Sequence, residues 1–471
     1  MMVTTTVSKK PPLILKPLWA ALSFALPLGA FFARPLGLDA EQSLLLGVLV
    51  QVILAWSANL VHRDLASAYL VLWFLFVGKA TPVQVLNFPL SENFVLIASA
   101  FLLSAAISKT GLADRLARMA FSKFARSPRS LVRFSYIVGG ALIFLIPQPF
   151  PRVIIMASLY TSFLSKTRLD EETKAVLQFS IFTAATVTSM LFLNGDIVLN
   201  NAVLGFAGVS LSFVEWIAKM TVPALAVTVL SYLAFVRVFH ISKRPFAEIA
   251  SDSASPEAPA GIEEPSGKLS RDEIKVAILT VVLIALWISE PLHSLSAAWA
   301  AAIIVAALFA VGILKIRDFR EINLSLIVFL TAAFSIGKVL AVNGIAQSLN
   351  ERLFRLLPDF GSLWYFPVLA LLVMALHMML GSCVTTLSLV IPSLVMAMEG
   401  ALPAVYAAFF AYSIVNMQYL LPIHQVTIMI GAGKGYYSQK QTMRFGVVQI
   451  GLVLVSISFI FVPWWKLIGA F

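Results

Sequence analysis

Pro147-Gln148-Pro149-Phe150-Pro151-Arg152 interrupts an apolar run that extends from Tyr136 to Tyr160. Val138–Ile146 leads into it and Val153–Leu159 leads out. A proline inside a helix removes a backbone donor and clashes with the preceding turn, at a cost of about 3 kcal/mol or more. Three prolines in five residues therefore stop a helix rather than bend it. Arg152 adds the cost of a charge at bilayer depth unless it meets a partner or water. Non-helical backbone survives at that depth only inside protein or beside a water-filled cavity. The stretch Arg133–Ser165 thus reads as a re-entrant hairpin, two half-helices joined by a broken tip. Cations flank both sides (Arg126, Arg129 and Arg133 before; Lys166, Arg168 and Lys174 after), which places both ends on one side of the membrane. A proline-kinked single span is the alternative, and the flanking charges argue against it.

The composition agrees with a membrane location. Of 471 residues, 60% are hydrophobic and 12% charged, against about 25% charged in an average soluble domain. Many apolar runs approach the ~20 residues that cross a bilayer core. The net charge of +11 does not point to nucleic acid, because the cations sit in loops between apolar runs. A single cysteine, Cys383, excludes an intrachain disulfide and a cysteine-based zinc cluster. Lys9-Lys10 before Leu13–Ala33 resembles a signal peptide, but the apolar stretch is long and more spans follow, so it reads as a retained first span.

The following spans read as Ser43–Val61, Leu65–Gly78 and Phe94–Ile107. Gly111–Phe121 then carries Leu112, Leu116, Met119 and Ala120 at helical spacing opposite cations, the pattern of an amphipathic helix in the interface. After the hairpin come Val176–Phe206 and Met220–Val238. A polar, proline-containing linker over 241–271 reads as disordered and divides the chain. The second half runs Val276–Ser289, Ala298–Leu314, Leu324–Val342, then Trp364–Met398 interrupted at Gly381–Thr386, Pro403–Ile430 interrupted near Pro422, and Val447–Trp464.

The halves match. Phe101–Ala113 pairs with Phe334–Ala346, and each is followed by an amphipathic segment and an interrupted hairpin. Repeats with interrupted segments at corresponding places mark the binding site of a secondary transporter. Loop cations place the N-terminus in the cytoplasm, the first hairpin opening inward and the second outward. The expected architecture is an all-α polytopic membrane protein with about eleven transmembrane helices in two inverted repeats, each with a re-entrant hairpin and a broken helix. Its parts are N-terminal spans over 1–87, a first repeat over 88–240 with the hairpin 133–165, the linker 241–271, and a second repeat over 272–471 with the hairpin 362–398.

Several motifs give this pattern a family likeness. Ser108-Lys109-Thr110-Gly111-Leu112 resembles the Glu-Lys-Thr-Gly-Leu stretch of the divalent-anion/sodium symporters, the carriers of dicarboxylates, citrate and sulfate. Thr183-Ala184-Ala185-Thr186-Val187 resembles their Tyr-Ala-Ala-Thr-Ile-Gly-Gly segment, and Leu420-Leu421-Pro422-Ile423 their Met-Leu-Pro segment. The resemblance runs from about Phe88 to the end. It implies a homodimer in a bacterial inner membrane, a scaffold part (here 1–87) and a moving transport domain, an elevator arrangement, and a site between two hairpin tips and two broken spans. The Ser-Asn-Thr triplets expected at those tips fall on Pro147-Gln148-Pro149 and on Ser382-Cys383-Val384. The usual Gly-Gly is Thr188-Ser189, and the usual Pro-Pro-Asn is missing in both halves.

The candidate site therefore comprises Gln148, Pro149 and Arg152 at the first tip, Thr188, Ser189, Asn194, Gly195, Asp196 and Asn200 at the first break, Ser382, Cys383, Thr385 and Thr386 at the second tip, and His424, Gln425 and Thr427 at the second break. Arg152 either contacts an anionic substrate, stands as a fixed positive charge in place of sodium, or closes a salt bridge, for example with Asp196. Asp196 suits sodium, a proton, or Arg152. His424 suits proton coupling or a structural hydrogen bond, and His377 reads as structural. The second tip favours an anion at a half-helix N-terminus. The expected partners are a small anion and the lipid bilayer, with sodium (near Gln148, Asp196 and Ser382) or a proton as the coupling ion and no cofactor. The alternatives are a proton-coupled or exchanging carrier of the same fold, and a channel-like facilitator. No Gly-rich nucleotide motif, His-Glu-x-x-His or Gly-x-Ser-x-Gly is present, so neither ATP drive nor an intramembrane enzyme is expected.

Overall fold

A computed structural model describes residues 25–57, 61–251, 268–348 and 357–470. The first expected span lies partly outside these residues, with 25–33 helical. Most of the linker, and the end of the segment after Asn343, also lie outside them. The described residues are helical, without strands. Among the described residues, four helices are long and apolar enough to cross a bilayer: Glu92–Thr110, Phe213–Val238, Leu324–Val342 and Gln439–Leu467. The other apolar helices, of 10–17 residues, include both arms of the second hairpin and halves of the broken helices.

The chain forms two compact units. One comprises Met1–Pro89 with Leu324–Leu356. Within it, Phe329 of Leu324–Val342 packs edge-on against Trp56, with ring centroids 4.9 Å apart, and Arg63 lies 4.8 Å over the same ring. Gln42 Nε2 donates to the carbonyl of Asn343 at 2.7 Å. Lys79 and Glu41 approach to 3.8 Å.

The other unit, Leu90–Asn323 with Leu357–Phe471, holds both hairpins and both broken helices. Its helices start where the sequence supplies caps. Ser127 with Ser130, Ser270 with Glu273, and Ser438 with Gln441 form reciprocal caps, and Asp170 accepts from Thr173 N–H. In the helix Leu112–Phe124 the residues buried against the protein are Leu112, Ala113, Ala117 and Phe121, whose ring packs against Phe134, Tyr160 and Phe163. Leu116 and Met119, of the stripe expected to lie in the interface, are 36% and 42% exposed. At the end of the preceding helix, Lys109 pairs with Asp318.

Two long helices each contain a wide turn followed by Val-Pro. Ile217–Thr221 precedes Pro223, and Ile457–Phe461 precedes Pro463. Pro223 has no N–H to return to the turn before it. The carbonyls of Ala218 and Lys219 are instead capped by the indole N–H groups of Trp464 and Trp465, at 3.1 and 3.0 Å. The backbone carbonyls left open by the wide turn are thus satisfied by side chains of the other helix.

Candidate functional site

The first hairpin runs out along Pro128–Ala141 and returns along Pro149–Leu164. The arms are antiparallel. Tyr160 donates to the carbonyl of Leu131 at 2.6 Å and shares a hydrogen bond with Ser135, while Gly139 faces Met156 nearer the tip. The prolines have divided duties. Pro149 and Pro151 occupy the first turn of the returning arm, where no N–H is required. Pro147 lies in the tip, and its carbonyl accepts from Ile197 N–H at 3.1 Å.

That last bond reaches the first break. The expected span Val176–Phe206 is two helices, Glu171–Thr188 and Ile197–Phe206, separated by Ser189–Asp196. Gly195 is required here by close approach: a Cβ would stand 2.2 Å from the carbonyl oxygen of Ser189. Asn200 Nδ2 donates to the carbonyls of Ser189, Phe192 and Leu193, and its oxygen accepts from Tyr412. Asn200 is therefore a brace of the break. Asn201 returns to Ile197 O at 2.7 Å. Asn194 Nδ2 reaches Ile143 O at 3.3 Å, while its buried oxygen has no protein partner among the described residues. Asp196 caps Ile197–Phe206 by accepting from Leu199 N–H.

Arg152, 2% exposed, joins tip and break. Nη1 donates to Ile146 O at 2.9 Å, and Nη2 to Gly195 O at 2.6 Å. Its hydrogen bonds thus go to two backbone carbonyls rather than to Asp196. Gln148 stands at the N-terminal boundary of the returning arm without a side-chain capping bond, and its buried amide nitrogen has no protein partner among the described residues.

The second hairpin, Tyr365–Leu380 and Cys383–Ala397, turns in two residues, with Gly381 in the left-handed region at φ 62°. Ser382 caps the returning arm, accepting from Thr385 N–H and from its hydroxyl. Thr386 donates to Ser382 O at 2.8 Å and contacts His377 Nδ1 at 3.1 Å. The second break lies between Ala404–Met417 and Val426–Gly433. His424 Nδ1 accepts two backbone N–H bonds, from Leu420 and Leu421. That nitrogen is committed to holding the break. Cys383 Sγ lies 3.4 Å from His424 O and 3.8 Å from Val415 O, joining this tip to this break. Buried Gln418 Oε1 and Thr427 Oγ1 have no protein partner among the described residues.

The two breaks face each other. Asn416 Nδ2 donates to Thr186 O at 2.7 Å and Ser189 Oγ at 3.1 Å, and Thr183 bonds Tyr419. Gln425 returns to Asn416 O. Thr188 is directed to its own helix at Ala184 O. Sequence reasoning passed over Asn416, Gln418 and Tyr412. The available signal was Asn416 and Gln418 at the end of an apolar run, matching Asn194 in the other half.

Two clefts flank this centre. One of about 880 Å³ lies among Thr161, Ser165, Lys174, Gln178, Tyr437 and Lys440. Between Gln178 and the break at Ser189, Phe179 and Phe182 pack on Tyr437, with centroids 4.6 and 5.3 Å apart. The other, about 280 Å³, is bordered by Glu92, Glu215 and Glu290 and reaches Leu193 and Asn201.

Hairpins, broken helices and apolar spans of this kind define an integral membrane transporter. The fold is similar to that of the YdaH transporter of Alcanivorax borkumensis, a crystal structure described for its unusual topology, with a TM-score of 0.56 over 91% of this chain and 99% of that one at 11% identity. A membrane protein of Cupriavidus necator is 21% identical over 368 residues, 75% of this chain and 70% of the other. The family model of the sodium:sulfate symporter transmembrane region matches residues 15–471, and the chain belongs to that family. Membership implies a transporter rather than an enzyme.

Proposed function

We propose that the chain is a secondary active transporter of a small anion, sulfate- or dicarboxylate-like, working by alternating access of elevator type. The observation that carries this is the convergence of four interrupted segments in one compact unit. Tip and break are joined by Pro147–Ile197 in the first half, by Cys383–His424 in the second, and the breaks by Asn416–Ser189. Carriers of this type bind substrate at discontinuous helices whose N-termini face the anion while unwound carbonyls hold the coupling ion. Here the half-helices beginning at Pro149, Ile197, Cys383 and Val426 supply those N-termini. Sulfate or a carboxylate gains from oriented amides without needing a particular side chain. Two inverted repeats of about eleven spans, a homodimer and a cytoplasmic N-terminus in a bacterial inner membrane complete the reading. The 880 Å³ cleft fits an inner vestibule, closed by the layer of Phe179, Phe182 and Tyr437.

The test is uptake of labelled sulfate and of succinate into proteoliposomes, under a sodium gradient and separately under a proton gradient. Saturable uptake with counterflow is expected. Ohmic anion current without saturation would replace the carrier by a channel-like facilitator. Drive by protons alone would make the chain a proton-coupled carrier, and counterflow without either gradient would make it an exchanger.

A further inference from the structure

Unwound backbone in a transporter hands its free carbonyls to a cation. At the first tip and first break those carbonyls already have one. Ile146 O and Gly195 O, 49 residues apart in sequence by subtraction of their numbers, both accept from the guanidinium of Arg152, at 2.9 and 2.6 Å. The group is 2% exposed and belongs to the chain itself. The backbone is close-packed at this point, since a Cβ on Gly195 would stand 2.2 Å from Ser189 O. Sodium, a hard ion that needs several oxygens, does not fit between the same two carbonyls while the guanidinium is there.

The second half differs. No Lys or Arg side chain is seen to bond its tip or break among the described residues. At its break, His424 Nδ1 accepts hydrogen bonds from the backbone N–H groups of Leu420 and Leu421. Two buried oxygens there, Gln418 Oε1 and Thr427 Oγ1, have no protein partner among the described residues, against one, Asn194 Oδ1, at the first break. Oxygens of that kind are what a hard cation takes.

We propose that Arg152 is a built-in cation that substitutes for a mobile coupling ion between the first tip and the first break, so that any sodium the carrier uses binds only at the second hairpin and its break. The inference rests on the carrier reading given above. It predicts a first half whose closure is indifferent to sodium, and a transport cycle with a sodium Hill slope of one or less.

The test reads tip closure directly. Gln148→Cys in a Cys383→Ser background is labelled with a water-soluble maleimide, in sodium chloride and in choline chloride at equal ionic strength. With Arg152 present, the labelling rate is expected to be the same in both salts. Arg152→Gln is expected to label at least about tenfold faster in choline, since bonds to a charged donor are lost, and Arg152→Lys to restore part of the protection. A sodium-dependent rate in the Arg152 protein overturns the proposal even if the glutamine variant fails to fold. Equal rates for Arg152 and Arg152→Gln overturn it as well. Labelling needs no transported anion, so its failure removes the built-in cation alone, whereas absence of uptake for every anion removes the carrier reading.

Discussion

The two hairpin-and-break halves solve one problem with different chemistry. Each must satisfy backbone left open where helices stop in the interior. The first half uses a charge and amides: Arg152 on two carbonyls, Asn200 on three, Asn194 on one. Among the described residues, the second half uses neutral partners only: a thiol, an imidazole nitrogen, a serine cap, and the amides of Gln425 and Gln418 on the carbonyls of Asn416 and Met374. It also keeps two buried oxygens without a protein partner among the described residues, at Gln418 and Thr427, where the first break keeps one, at Asn194. The contrast teaches that the first half carries a charge of its own where the second relies on neutral groups.

The largest expected break in that contrast comes at Arg152. Arg152→Met removes two charge-assisted bonds from buried carbonyls, at roughly 1.5–3 kcal/mol each. Thermal unfolding in detergent is expected to fall by several degrees, and transport to be lost. An unchanged midpoint would mean that the guanidinium holds nothing. Cys383→Ala, its counterpart as the tip-to-break link of the second half, is expected to move the midpoint far less, because a thiol is a weak donor.

Glycine substitutions sharpen the same comparison. Gly195→Ala forces a methyl to 2.2 Å from Ser189 O, so the first break must reopen. A loss of about 1–3 kcal/mol is expected, in the range of overpacked sites. Gly381→Ala meets nothing nearer than 3.8 Å and carries only the strain of φ 62°. About 1 kcal/mol is expected there. A cost at Gly381 equal to that at Gly195 would erase the distinction between a packed tip-and-break and an open one.

His424→Ala comes next. It strips the acceptor from Leu420 N–H and Leu421 N–H, and about 1–3 kcal/mol is expected to be lost. His424→Asn, whose oxygen can accept from the same region, is expected to recover part of the midpoint. If His424→Asn instead keeps the midpoint and abolishes proton-driven uptake, the ring is a proton carrier and not a brace.

Much of this arrangement was legible in the sequence because it is written in helix-breaking residues. Prolines at 147, 149 and 151 and flanking cations locate the first hairpin, and Gly381 with Ser382 locates the second. Apolar length alone reproduces Leu324–Val342. What was not legible depends on distance in sequence. Arg152 reads as a partner for substrate or for Asp196, because carboxylates are visible as residue types whereas a free carbonyl is not. Gly195 O lies 43 positions away and exists as an acceptor only because the helix stops there. The protein-facing side of Leu112–Phe124 was hidden for a related reason. Period gives an apolar stripe for the interface, but the packing of Phe121 against three rings, which buries the other side, depends on residues distant in sequence.

The smallest expected effect lies at the acidic cleft beside the first break. Glu290 accepts from Phe213 N–H at 3.4 Å and is half-buried. Burial pushes its carboxyl above the usual range, and Glu215 and Glu92 push it further, while the Phe213 bond opposes them. An acid whose folded-state pKa is raised binds its proton more tightly folded than unfolded. Its penalty is absent well below the ordinary glutamate value of 4.5, grows as pH rises through that value and the raised one, and is complete above both. Glu290→Gln keeps an oxygen for Phe213 and removes the charge. It is expected to raise the unfolding midpoint slightly at neutral pH and to leave it unchanged at pH values well below 4.5. Salt screens the repulsion from Glu215 and Glu92 but not the cost of burial, so the gain should shrink in high salt without vanishing. A midpoint that falls at neutral pH would mean that Glu290 holds a positive charge in that cleft, and would turn the acidic mouth of the first half from a cost of the fold into a cation-collecting surface.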